Sequence, residues 1–197
     1  NSLISKEKLE KLSISEAELY EHKEFNILIK DKEIVKALPL LIFCSPLWEK
    51  VLINIRKNIL FNYSDNDKVS DSILKFTIGL GSQCFLNEYV YYTSIEEKYK
   101  LKELKSRIKD DKNQDYKLAI ISCYQPLSSI KKEVINLDNY VSNNKEFNNL
   151  LSLQFKELNH EKMISKGIKK IGNIEDSISK KVKNQYELNP YPRWRYN

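Results

Sequence analysis

The residues of this chain whose types could do chemistry are few. Gly79-Leu80-Gly81 is its closest glycine pair, and a glycine turn cradles phosphate or a nucleoside cofactor only where it follows a strand and opens a helix. Here both glycines fall inside a helical pattern, so close helix packing is the expected role. His22 and His160, the two histidines, stand in polar surroundings with no metal-ligand spacing around them. Cys44, Cys84 and Cys123 lie in apolar runs without a CxxC or a histidine partner. Cys84 could be paired with Glu88 as a nucleophile, but nothing cationic nearby would favour a thiolate, and a buried core thiol is expected. No Ser-His-Asp set, metal cluster or P-loop is present, so no catalytic or metal residue is assigned.

Two stretches stand apart from this background. In residues 83–91, Gln83 and Asn87 are four apart on one helix face of an apolar segment, followed by Glu88. A buried amide left unpaired costs about 1–3 kcal/mol, so Gln83, Asn87 and Glu88 are expected to form a structural polar core that bonds neighbouring helix ends. In residues 185–194, Pro190 and Pro192 fix an extended backbone carrying Tyr191, Arg193 and Trp194. An aromatic and proline arm after a helix cannot bury itself and is expected to dock on a globular surface.

The elements that would hold these residues are helical. Four glycines in 197 residues are too few for a chain of tight hairpins, and period-two alternation bounded by glycine turns is absent. Leu9, Leu12, Glu16 and Leu19 suit a short amphipathic helix in the charged first 30 residues. Residues 28–43 are strongly apolar and interrupted at Pro39. Ser45-Pro46 reads as a capped helix start, followed by Leu47, Trp48, Val51, Leu52, Ile55 and Ile59, with Arg56 and Lys57 placed near its C-terminal end. A loop is expected over 62–70, then one long central helix over 71–92 with two apolar stripes. Ser94-Ile95-Glu96-Glu97 is a capping box that starts a helix running to about Ile108. Residues 116–124 are apolar enough to be buried, and Pro126 ends them. The Asn-rich stretch 136–145 reads as a loop. Phe147, Leu150, Leu151, Gln154, Phe155 and Leu158 suit a helix, and Ile174, Ile178, Val182 and Tyr186 the edge of a last one. The fold class is therefore all-α: an irregular bundle of about six to eight helices with an extended C-terminal arm. Its expected divisions are a charged N-terminal segment (1–30), the bundle (31–165), and a last helix with the arm (166–197).

The net charge is +6, but Lys98, Lys100, Lys102 and Lys105 are interleaved with Glu96, Glu97 and Glu103, the pattern of a solvated helix face. This argues against nucleic acid, whose binding would concentrate basic residues on one surface. No stretch approaches the ~20 apolar residues of a membrane span, so no membrane partner is expected. Three scattered cysteines suggest reduced thiols and a cytoplasmic location. The chain starts at Asn1 and stops after Tyr196-Asn197, as a fragment would.

The pattern QCFxNEYV (residues 83–90), then Tyr124-Gln125-Pro126-Leu127, then QYExNPYPRW (residues 185–194) resembles the helical region preceding the catalytic domain in bacterial tetratricopeptide-repeat class I S-adenosylmethionine-dependent methyltransferases. The helix opened by Ser45-Pro46-Leu47 is also similar to that region, and the resemblance covers roughly residues 38–194. It implies that this chain is a non-catalytic helical part of such an enzyme, packing on or capping a downstream methyltransferase domain that binds S-adenosylmethionine. Tyr191, Arg193 and Trp194 would then lie near the mouth of the cofactor cleft, and a protein acceptor would be a further partner. The chain itself holds no recognisable repeat and no glycine-rich loop. The alternative is a stand-alone helical protein-interaction module without enzymatic activity.

Overall fold

Apolar residues on every side of one helix require neighbours on every side, and residues 76–85 are buried without a break. That helix, α5 (Asp71–Leu86), is the centre of the first part of the chain. The structure is a computed structural model that describes residues 4–14, 19, 22–66, 68–110, 113–169 and 176–188. It is all-α, with no strand among the described residues. The helices are α1 (Lys6–Ile14), α2 (Lys23–Lys30), α3 (Lys32–Ala37), α4 (Pro46–Tyr63), α5 (Asp71–Leu86), α6 (Ile95–Arg107), α7 (Gln114–Ser122), α8 (Lys145–Leu151), α9 (Glu157–Gly167) and α10 (Ser177–Leu188). The chain divides into two units, Asn1–Glu161 and Lys162–Asn197.

In the first unit α5 packs on α2, α3, α4, α7 and α8, while α1 lies along α4. One apolar cluster runs from Leu9 and Leu12 of α1 through Phe25, Leu52, Phe76 and Leu118 to Phe147 and Leu151. The α5–α7 crossing is the closest. A Cβ at Gly81 would lie 2.0 Å from Ser122 Oγ, and one at Gly79 3.2 Å from Leu38 Cβ. The two glycines thus serve close packing, as their helical setting predicts.

Local signals account for several boundaries. Asp31 caps α3 through the amides of Glu33 (3.0 Å) and Ile34 (3.2 Å). Pro46 sits at the first position of α4, although the Ser45 side chain makes no capping bond. The capping box is present: Ser94 Oγ accepts from the Glu97 amide (3.2 Å), and Glu97 Oε2 accepts from the Ser94 amide (2.7 Å).

Three expectations are corrected. The central helix ends at Leu86 rather than reaching Tyr92, because Glu88 and Tyr89 both adopt φ of 58°. Left-handed backbone cannot continue a right-handed helix, and two such non-glycine residues in succession are uncommon. Arg56 is not near a helix end, since α4 continues to Tyr63 and Arg56 is buried in its middle. The helix expected over 147–158 is interrupted by a π turn, Ser152–Lys156, between α8 and α9.

In the second unit α10 exposes Ile178, Val182 and Tyr186, the edge expected from their spacing. Tyr191, Arg193 and Trp194, with the rest of the proposed arm, lie outside the described residues.

Candidate functional site

A charged side chain among apolar neighbours must be paired, because desolvating it alone costs several kcal/mol. Arg56 follows Leu52 by four residues on the apolar stripe of α4, and it is 1% exposed. Its Nη2 donates to the Tyr92 carbonyl and to Thr93 Oγ1 (3.3 Å), and lies 3.5 Å from Glu97 Oε1. Glu97, 2% exposed, also accepts from the Tyr124 hydroxyl (2.8 Å). The guanidinium carbon stands 4.2 Å from the Tyr124 ring centroid and 6.0 Å from that of Tyr91. Each oxygen of Glu97 therefore already accepts a bond, and the cation is faced by aromatic rings. The pair holds α4, α6 and the segments after α5 and α7 together; Arg56 Nε is left buried without a hydrogen-bond partner.

The second constellation is at the C-terminal end of α5. Gln83 is fully buried, and with its amide turned so that the nitrogen faces them it donates to the carbonyls of Leu38 (3.0 Å) and Leu41. Those carbonyls follow α3, where helical partners run out. Gly79, one turn earlier, lets the backbone at Leu38 approach α5. The segment after α3 is thus pinned at two successive turns of α5. Asn87 Oδ1 accepts from the Tyr89 amide (3.2 Å), which also donates to the Cys84 carbonyl (2.8 Å). Asn87 is half-buried and Glu88 exposed, so of the three expected polar residues only Gln83 is fully buried; Glu88 contributes left-handed backbone to the turn.

These bonds hold an apolar edge in place. Leu40, Leu41 and Ile42 are 55%, 60% and 54% exposed, and at the same end of α5 Val90 is 70% exposed. Isolated exposed apolar residues are ordinary; three in succession on a segment fixed by a buried amide form a candidate contact surface.

The remaining predicted residues are bland. Cys84 is buried beside the Cys123 thiol, which burial pushes well above its ordinary value. His22 and His160 are exposed. No group of three or more His, Cys, Asp or Glu able to hold a metal occurs among the described residues. Sequence reasoning passed over Arg56, although its spacing from Leu52 and Leu60 put a cation on an apolar stripe. It also passed over Lys117, buried and donating to the carbonyls of Ser64 and Asn66 (3.0 Å) just beyond α4. Nothing local signals that contact.

An S-adenosylmethionine cleft needs a strand, a glycine turn and a helix start. The described residues offer no strand, and the space beside Gly79 and Gly81 is filled by Leu38 and Ser122. They do not fit the cofactor, and no step of methyl transfer is derived from them. Compared with protein-family models, curated proteins and solved structures, the chain finds no match in any of the three.

Burial dominates the phenols around this core. It pushes Tyr91 up to about 12 and raises Tyr116, Tyr124 and Tyr140, with the carboxylates of Glu97 and Asp115 adding at Tyr124 and Tyr140. A phenol raised in the folded state contributes stability fully present below its unfolded value of about 10, which is lost as pH climbs through the folded values. In an alkaline titration followed by ultraviolet absorbance, these four tyrosines are expected to stay silent until the fold gives way, then ionise together. Ionisation of all twelve tyrosines near pH 10 with helicity intact would contradict this burial.

Proposed function

We propose that this chain is a helical, non-catalytic platform that presents a fixed apolar edge to a globular partner, and that the partner is the catalytic domain of an S-adenosylmethionine-dependent methyltransferase. The observation that carries the platform is the fully buried Gln83 amide holding the carbonyls of Leu38 and Leu41, with Leu40, Leu41 and Ile42 left exposed above it. The identity of the partner rests on the resemblance of residues 83–90, 124–127 and 185–194 to the helical region that precedes such domains. In this reading S-adenosylmethionine is bound by the catalytic domain, and Tyr191, Arg193 and Trp194 reach the mouth of its cleft. What the chain supplies is positioning: a rigid surface against which a cleft can close and hold donor and acceptor in line.

The same edge also suits the second reading, a stand-alone module that binds another protein and belongs to no enzyme. The two separate in one set of measurements. The coding sequence after Asn197 is expected to supply, within about 60 codons, a strand ending in a Gly-x-Gly-x-Gly-like turn. In that full gene product, Leu41→Asp/Ile42→Asp, Arg193→Ala and Trp194→Ala are each expected to weaken S-adenosylmethionine binding about tenfold in calorimetry, more than most interface residues cost on truncation. The 197 residues alone are expected to bind none. Unchanged affinity in all three variants, or cofactor binding by the isolated chain, rejects the platform reading.

A further inference from the structure

The net positive charge of this protein comes from one unit. Lys162–Asn197 holds nine of the 33 Lys and Arg residues but only three of the 27 Asp and Glu, so the whole net charge of +6 lies there, and the first 161 residues balance at zero. Within that unit α10 carries an apolar stripe at i, i+4 and i+8, with Ile178 70%, Val182 45% and Tyr186 60% exposed. At 100° per residue, Lys181 and Lys183 fall on either side of the stripe and Lys180 on the opposite face.

We propose that α10 is an interfacial helix that lies on an anionic lipid surface. A helix lying in the interface sinks a narrow apolar face to the acyl boundary. It keeps lysines at its flanks, whose stems run along apolar surface while their ammonium groups reach the phosphates. Ile178, Val182 and Tyr186 with Lys181 and Lys183 have that order around the helix. Nucleic acid would reward the lysines but leave the apolar stripe between them unsatisfied. A neutral surface would reward the stripe but not the segregation of charge. The zero net charge of the first unit matters too, since it adds no repulsion from an anionic surface. The expectation of no membrane partner rested on span length and so covers crossing alone: no described helix is long and apolar enough to cross a membrane, and a helix lying on the surface does not need to be.

The test uses the whole chain and large unilamellar vesicles, sedimented after mixing. The protein is expected to bind phosphatidylcholine vesicles containing about 30% phosphatidylglycerol and not phosphatidylcholine alone. Its partition coefficient is expected to fall about tenfold between about 50 and 300 mM salt, as screening shortens the reach of the surface potential. Ile178→Asp/Val182→Asp and Lys181→Glu/Lys183→Glu should each lose about tenfold, the first through the stripe and the second through charge. Lys98→Glu/Lys102→Glu, the same charge change at exposed sites on α6, should lose no more than about twofold. Three results each overturn the proposal: no binding to the anionic vesicles at low salt, wild-type binding by the stripe variant, or a control that falls as far as the α10 lysine variant. Circular dichroism of each variant shows whether its helices are intact. None of these measurements depends on the methyltransferase reading.

Discussion

Glu97→Ala is expected to destabilise the fold by about 3–5 kcal/mol. The side chain is 2% exposed and joins three things: the Arg56 guanidinium, the Tyr124 hydroxyl and the Ser94 amide. Truncation leaves a cation that is 1% exposed without its counter-charge, and it opens the N-terminus of α6. Domains of this size are stable by only about 5–15 kcal/mol, so the loss is a large part of the total. With a urea dependence of about 2–3 kcal/mol per molar, the denaturation midpoint should drop by about 1–2.5 M. Glu97→Gln keeps the shape and one accepting oxygen, but it removes the charge and sets an NH2 donor where the second oxygen accepted. It is expected to cost less, about 1–3 kcal/mol, because the neutral amide still serves some of the partners. Arg56→Met in the Glu97→Ala background should cost much less than it does alone, since the second substitution then removes a charge that is already unpaired. A loss below about 1 kcal/mol for Glu97→Ala would mean that water reaches the pair, and that it acts as an ordinary surface ion pair.

The pair also marks where the sequence stops being readable. The Ser94 capping box is a local signal, and it put Glu97 at the third position of α6 correctly. Gly79 and Gly81 were legible as packing glycines for the same reason: a residue that weakens a helix interior, set in an apolar run, implies a close neighbour. What could not be read is that residues 56, 97 and 124 share one centre. That is a non-local fact, and hydrophobic periodicity records which face of a helix is buried, not what lies against it. Arg56 was misplaced because a basic residue late in a helix has a ready explanation in the helix dipole, and the apolar residues after it carried α4 further. The end of α5 was missed because the usual stop signals, glycine or proline, are absent at Glu88 and Tyr89. The bonds that hold the turn run from the Tyr89 amide to the Cys84 carbonyl and Asn87 Oδ1, and its left-handed backbone costs about 1–2 kcal/mol per residue. The candidate edge was illegible for a related reason. Leu40, Leu41 and Ile42 are apolar by type, and the contacts of the segment with Gly79 and Gln83 of α5 are non-local.

A second large effect is expected at Gln154, where α5, α7 and the turn after Pro126 meet. Its Nε2 donates to the carbonyls of Gly81 (2.8 Å) and Ser122 (3.4 Å), and its Oε1 accepts from the Leu127 amide (3.3 Å). The side chain is fully buried on the π turn, whose extra residue resets the phase between α8 and α9. Gln154→Leu keeps the volume but strands a buried backbone N–H, and should cost about 1–3 kcal/mol. Gln154→Ala adds a cavity and should cost about 2–5 kcal/mol. Gly81→Ala attacks the same crossing from the other side, because its new methyl would meet Ser122 Oγ at 2.0 Å. Overpacking of that kind costs about 1–3 kcal/mol. Adding Ser122→Gly should return part of the loss by removing the clashing atoms. The two attacks should not be independent. Once Gly81→Ala has pushed α5 from α7, the carbonyls at residues 81 and 122 no longer sit where one amide spans both. Gly81→Ala/Gln154→Ala should therefore cost less than the sum of its parts by about 1 kcal/mol or more. Additivity within about 0.5 kcal/mol would show that the amide does not fasten this crossing, and that the helices are held there by apolar packing alone.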